Sequence, residues 1–206
     1  MKLKSILLIF LCGSLNSFGQ GFDSAKMDKL FEAIQDNDRG MGSLSIFKDG
    51  KEVYSRSYGF ADVEKKVKAD AKTKYRIGSI SKTFTATIIM KLIEEQKLKL
   101  STKLSEYYPQ IKNSDQITLD QLLQHRSGIE NITSYPDYED WNTKKQSKEQ
   151  LLARIESGGS MFTPGSRFEY SNSNYILLTF IAQEVSGKSF SSLLKENGYI
   201  DETNSK

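Results

Sequence analysis

The chain has 206 residues, enough for one well-packed domain without requiring a second. Hydrophobic residues make up 37% and charged residues 27%, and only three prolines with no low-complexity tract argue against a disordered chain. The formal net charge is +3, and it falls to +1 when residues 1–19 are removed, so nothing electrostatic points to nucleic acid or anionic lipid.

Lys2 and Lys4 precede an apolar run from Ile6 to Leu11, and Ser17 and Gly19 put small residues at the minus-three and minus-one positions before Gln20. This predicts a signal peptide over residues 1–19, too short to span a membrane, and an exported mature chain, periplasmic or secreted. Cys12 raises a lipoprotein alternative, disfavoured because the preceding Leu11 is large where a small residue is usual. Cys12 is also the only cysteine, so cleavage leaves no disulfide and no thiol chemistry.

Met27, Leu30, Phe31 and Ile34 recur at helical spacing and predict an amphipathic helix over 24–36. Segments 44–48 and 52–58 flank Asp49-Gly50, which favours a type I′ hairpin turn, with Lys51 able to lengthen the loop. From Ser81, residues Phe84, Ile88, Ile89, Leu92 and Ile93 form one apolar stripe reaching about Gln96. Thr118 and Gln121 have capping-box spacing and open a short helix through His125, ended by Ser127-Gly128. Residues 131–147 read as a long loop, and 151–155 as a short helix closed by Gly158-Gly159. The run 175–185 is apolar at helical spacing and stops at Ser186-Gly187, and one more helix starts at Phe190. Two strands followed by many helices make a mixed α/β protein whose sheet looks unfinished.

Ser-x-x-Lys occurs three times, at Ser45–Lys48, Ser79–Lys82 and Ser192–Lys195. In a strand, residues three apart point to opposite faces, which removes the first pair, and the third lies in a plain amphipathic segment where a solvated lysine is the simpler reading. Ser79 and Lys82 follow Gly78 at a helix start. There they share a face, and the unpaired N–H groups favour the negative charge of acyl transfer. A serine hydroxyl needs an adjacent base to attack, and Lys82 is that candidate. Tyr170-Ser171-Asn172 is the chain's single Tyr-x-Asn. A tyrosine beside an ammonium ionises more easily and can relay protons, while Asn172 can orient Lys82 and donate to a substrate carbonyl. Alone, Tyr170 would read as a helix-entry aromatic after a Pro-Gly turn.

These motifs resemble the serine β-lactamase and penicillin-binding-protein superfamily, in its class C-like branch, where Tyr-x-Asn is the second motif. The nucleophile segment is Arg76–Thr85, the run 122–129 resembles the family's Leu-Leu-x-His-x-Ser-Gly, and Phe162-Thr163-Pro164-Gly165 leads to Tyr170, in family order. The resemblance spans about residues 23–194. It implies a β-lactamase/transpeptidase-like αβα sandwich with a helical subdomain. It also implies an acyl-enzyme serine hydrolase acting on a small-molecule or peptide substrate: a β-lactam, a D-alanyl peptide or a small ester. Ser79 would be the nucleophile, Lys82 and Tyr170 the base and proton relay, and Asn172 the substrate holder, with no cofactor and no metal. His125, the sole histidine, is expected to be structural, away from either motif. The family's third motif, Lys-Thr-Gly or His-x-Gly, has no counterpart: after Asn172 only Gly187 and Gly198 remain, two residues beyond Val185 and Glu196. Residues 20–206 are therefore expected to be the N-terminal portion of such a domain, lacking its last strands, with activity impaired. The alternatives are a catalytically silent peptidoglycan- or protein-binding module, or a poorly folded remnant.

Overall fold

A computed structural model describes residues 21–200. The expected signal peptide, Cys12 and the last six residues lie outside the described residues. The chain divides into two compact units, one ending at Arg76 and the other starting at Ile77.

In the first unit, α1 covers Ser24–Asp36, and the side chain of its N-cap, Asp23, accepts from the Lys26 N–H. Strands β1 (Gly42–Lys48) and β2 (Lys51–Tyr58) pair antiparallel, with Gly42 opposite Tyr58. Asp49 and Gly50 both take positive φ, as a type I′ turn requires. Lys51 pairs with Lys48 and so belongs to β2, not to a longer loop; the register irregularity falls between Ile46 and Phe47. Phe31 of α1 is buried against the rings of Tyr54 and Tyr58. A second ladder, β3 (Phe60–Asp62) with β4 (Val67–Lys68), was not expected, because strands this short show no period.

The second unit is helical. Its helices are α2 (Ser81–Glu94), α3 (Leu119–Leu123), α4 (Tyr138–Trp141), α5 (Lys148–Gly158), α6 (Asn172–Ser186) and α7 (Phe190–Glu196). Among its described residues there is no strand, only two isolated bridges. The core is built on α6, whose Leu177, Leu178, Ile181 and Ala182 are fully buried, and on α2, which packs against it through Ile88, Ile89 and Leu92. Leu119 and Leu122 of α3 and Ile155 of α5 join it, as do buried residues of the connecting segments such as Leu104 and Ile117.

Helix ends differ from expectation where capping rather than periodicity decides them. Thr118 and Gln121 do form the capping box of α3, yet the helix stops at Leu123, because His125 takes a left-handed φ of 57°. Helix α5 begins at Lys148, three residues early, under a second capping box between Ser147 and Gln150. Its polar first turn hid it from an apolar pattern. The expected loop 131–147 contains a 3₁₀ turn at Ile132–Ser134 as well as α4. Gly128 has no substitute: φ is +81°, and a Cβ there would lie 2.3 Å from the Phe162 carbonyl oxygen.

Candidate active site

Gly78, at φ +53°, turns the chain into a 3₁₀ turn, Gly78–Ile80, that runs directly into α2. Ser79 therefore sits exposed just before the helix, and Lys82 lies in its first turn with a half-buried stem. Tyr170 precedes α6 and Asn172 opens it. The packing of α2 on α6 brings the two motifs together, although they are about ninety residues apart in sequence.

The four side chains form one hydrogen-bonded set. The Lys82 ammonium donates to Asn172 Oδ1 at 2.7 Å and to Ser79 Oγ at 3.3 Å. Ser79 Oγ and the Tyr170 hydroxyl are 2.9 Å apart. The same hydroxyl is 3.4 Å from Asn172 Oδ1. Lys82 Nζ also lies 5.1 Å from the centre of the Tyr170 ring and 5.7 Å from that of Tyr175. Burial pushes the Tyr170 phenol up, but hydrogen bonds from Lys82 and Ser79 and the Lys82 charge outweigh it, so Tyr170 titrates below an ordinary tyrosine. The other two Ser-x-x-Lys serines are engaged elsewhere: Ser45 donates to Glu52, and Ser192 shares a hydrogen bond with Ser189.

Three contributors were not foreseen as parts of the site. Asn131 Oδ1 accepts from the Asn172 backbone N–H at 3.0 Å and from Asn172 Nδ2 at 3.2 Å, and Thr133 Oγ1 accepts from Nδ2 at 3.0 Å. Both Nδ2 protons of Asn172 are thus spent on the protein, and its free function is to hold Lys82. In sequence, Asn131 and Thr133 showed only as part of the long loop expected over 131–147. His125 is the third. It lies against the motif, not away from it, with its ring centre 4.5 Å from that of Tyr170. Its Nδ1 accepts from the Ser171 N–H at 3.2 Å, so it braces the Tyr-x-Asn segment from beneath. Burial, then the Lys82 charge, lower its pKa and favour the neutral ring this bond needs.

Buried polar groups fix the same segment from the other side. Ser173 Oγ donates to the Glu130 carbonyl and accepts from the Ile132 N–H, and Ser127 Oγ donates to Asn174 Oδ1 at 2.6 Å. Such groups are costly to bury unpaired, so they dictate one register between 125–133 and the start of α6. Ser79 borders a cleft of about 770 Å³, whose lining includes Tyr175, Ile176 and Phe180 of α6. Among the described residues no cluster of His, Cys, Asp or Glu is arranged to hold a metal ion.

The Beta-lactamase family model matches residues 27–198. The chain is 39% identical over 173 residues to Protein flp of Staphylococcus aureus, covering 80% of this chain and 34% of that protein. It is 32% identical over 165 residues to a teichoic acid D-alanine hydrolase of the same species, covering 80% of this chain and 39% of the relative. In three dimensions it resembles the D-amino acid amidase of Ochrobactrum anthropi SV3, solved with L-phenylalanine amide. The TM-score is 0.71 at 26% identity, covering 82% of this chain and 48% of the amidase. The chain thus spans little more than a third of the length of these sequence relatives, and about half of the amidase.

Proposed function

Because the chain belongs to the Beta-lactamase family, we propose that it is an exported serine hydrolase that works through an acyl-enzyme on Ser79. The observation that carries this reading is the hydrogen-bonded set Ser79–Tyr170–Lys82–Asn172. Tyr170, its ionisation favoured by Lys82, accepts the Ser79 proton as Oγ attacks the carbonyl carbon of an ester, amide or β-lactam. N–H groups at the start of the Gly78–Ile80 turn face the oxyanion that forms. The proton then passes to the leaving oxygen or nitrogen, the carbonyl–leaving-group bond breaks, and the acyl group stays on Ser79. Water, losing its proton to the same relay, releases the acid and restores the hydroxyl. Asn172, braced by Asn131 and Thr133, holds the ammonium in line throughout. A relative named teichoic acid D-alanine hydrolase and a neighbour named D-amino acid amidase support an ester or amide of an amino acid as the substrate.

Intact-mass spectrometry of the mature chain after incubation with a fluorophosphonate and with a penicillin tests the reading, with Ser79→Ala as control. A single adduct that vanishes in the control is the expected result. The absence of any adduct on a cooperatively folded chain would overturn it and leave ligand binding as the function to pursue. The same spectrum, taken on exported protein, reads the start of the mature chain, expected at Gln20.

A further inference from the structure

His125 is the chain's sole histidine, and the donors around its Nδ1 leave the ring one protonation state that fits. The Ser171 N–H donates to Nδ1 at 3.2 Å, and Asn174 Nδ2 lies 3.3 Å from the same atom. Asn174 does not offer its oxygen there, because Oδ1 accepts from Ser127 Oγ at 2.6 Å, and Ser127 Oγ in turn accepts from the Ile129 N–H. Nδ1 is therefore assigned as bare, with the ring proton on Nε2. A histidinium carries a proton on both nitrogens, so its Nδ1 would turn a donor toward two donors.

The ring cannot leave Ser171 without moving Tyr170. Its centre lies 4.5 Å from that of Tyr170 and 5.1 Å from that of Tyr175, with Phe168 edge-on at 6.1 Å. The His125 carbonyl also accepts from the Glu169 N–H at 2.9 Å, which ties the same strip of chain to the same residue. The charges nearby do not invite a cation. From α2, the Lys82 charge opposes one, and the titratable groups facing the ring from the α6 side are Tyr170 and Tyr175. The Glu169 carboxylate pairs with Arg167 at 2.8 Å, Glu130 lies by Tyr135 and Gly158, and Arg126 donates to the Gly165 carbonyl. Burial, then Lys82, hold the imidazole below the ordinary histidine value of about 6.5.

From this geometry we infer that His125 is a positioning residue that works as a proton switch: neutral, it holds Tyr170 on Ser79 through the Ser171 N–H, and protonated, it releases that N–H and turns acylation off. The inference rests on the acyl-transfer reading of Ser79 and adds a second proton to its pH dependence. His125 takes no proton from the reaction itself, because Nδ1 faces the backbone and not the Ser79 hydroxyl. A histidinium acting through its charge alone would do the opposite, since a cation beside Tyr170 favours the phenolate. Loss of placement steepens the acid limb of the rate, and added charge flattens it.

The rate of fluorophosphonate labelling at Ser79, timed by intact-mass spectrometry from alkaline into acid pH, reads that limb. It should fall about tenfold per pH unit while Tyr170 alone titrates, and about a hundredfold per unit once His125 titrates as well. Because the histidine is single, NMR of its ring gives that second pKa directly, and the ring nitrogen shifts should show the proton on Nε2 at neutral pH. His125→Asn supplies the control: asparagine can set an oxygen where Nδ1 stood, tolerates the left-handed φ of 57° and cannot take the proton. Its limb should keep the single, tenfold slope. A wild-type limb that keeps one slope or flattens through the pKa read by NMR overturns the inference, as does a His125→Asn chain that still steepens. Either outcome leaves the serine-hydrolase reading standing. The absence of labelling at every pH removes both.

Discussion

Two tyrosines in this molecule sit in polar networks of similar make-up and are driven in opposite directions. In the hairpin unit, Tyr54 donates to the Asp28 carboxylate at 2.8 Å, and Arg56 completes the group by donating to the same oxygen at 2.8 Å. Burial and then Asp28 raise the Tyr54 phenol above its ordinary value. In the helical unit, the Tyr170 hydroxyl faces Lys82 and Ser79 with no carboxylate hydrogen-bonded to it among the described residues, and it titrates below that value. Both networks contain a tyrosine and a cation. The acceptor separates them: where a carboxylate takes the phenol's proton in a hydrogen bond, it adds to burial and the pKa rises, and where the partners are an ammonium and a hydroxyl, they outweigh burial and it falls. The supports differ as well. Tyr170 leads into a helix with four fully buried apolar residues, whereas Phe31 and Tyr54 are the buried apolar residues of the first unit's described part.

Removing the cation from the second network is the strongest way to break this contrast. Lys82→Met should slow acylation by about 100- to 10,000-fold, the usual contribution of a general base and its partner. It should also move the pH profile. In the wild-type chain acylation is expected to rise with pH and to level off below the ordinary tyrosine value of about 10. Without the ammonium, only the Ser79 hydrogen bond opposes burial at Tyr170, and the rise should shift to higher pH. A slower enzyme with an unshifted profile would show that Tyr170 is not the titrating base.

The support can be tested separately. Leu178 is fully buried in α6, and Leu178→Ala should cost about 2–5 kcal/mol of stability. Phe47, 65% exposed on the hairpin, should lose no more than about 0.5 kcal/mol on change to alanine. Urea unfolding of the two variants makes the comparison, and equal losses would mean that the two units do not differ in core depth.

How much of this could be read from the chain alone follows from the same distinction between local and distant causes. The Ser79–Lys82 spacing and the Thr118–Gln121 capping box act within one turn, so sequence displays them, and the Asp49-Gly50 turn declares itself by residue type. The α5 start at Lys148 was missed because its first turn is polar, and the His125 helix stop because a left-handed histidine leaves no pattern. Asn131 and Thr133 were invisible as site residues for another reason. Only the packing of 127–133 against the start of α6 gives them neighbours, and no sequence interval encodes that distance.

The smallest expected effect addresses the silent tyrosine. Hydrogen bonds from Tyr54 and Arg56 hold the Asp28 carboxyl below its usual range. A carboxyl depressed in the folded chain adds stability above its unfolded pKa of about 3.9, and that stability is lost as pH falls through the lower folded value. Asp28→Asn should therefore flatten the acid limb of a thermal-melt series between neutral pH and pH 2. It should also bring Tyr54 down, because the carboxylate that opposes its ionisation is gone while Arg56 stays. With ten tyrosines in the chain, this shift needs site-resolved NMR of labelled tyrosine rather than bulk absorbance. If Tyr54 does not move, burial alone sets its pKa, and the acceptor rule separating it from Tyr170 fails at its weaker end.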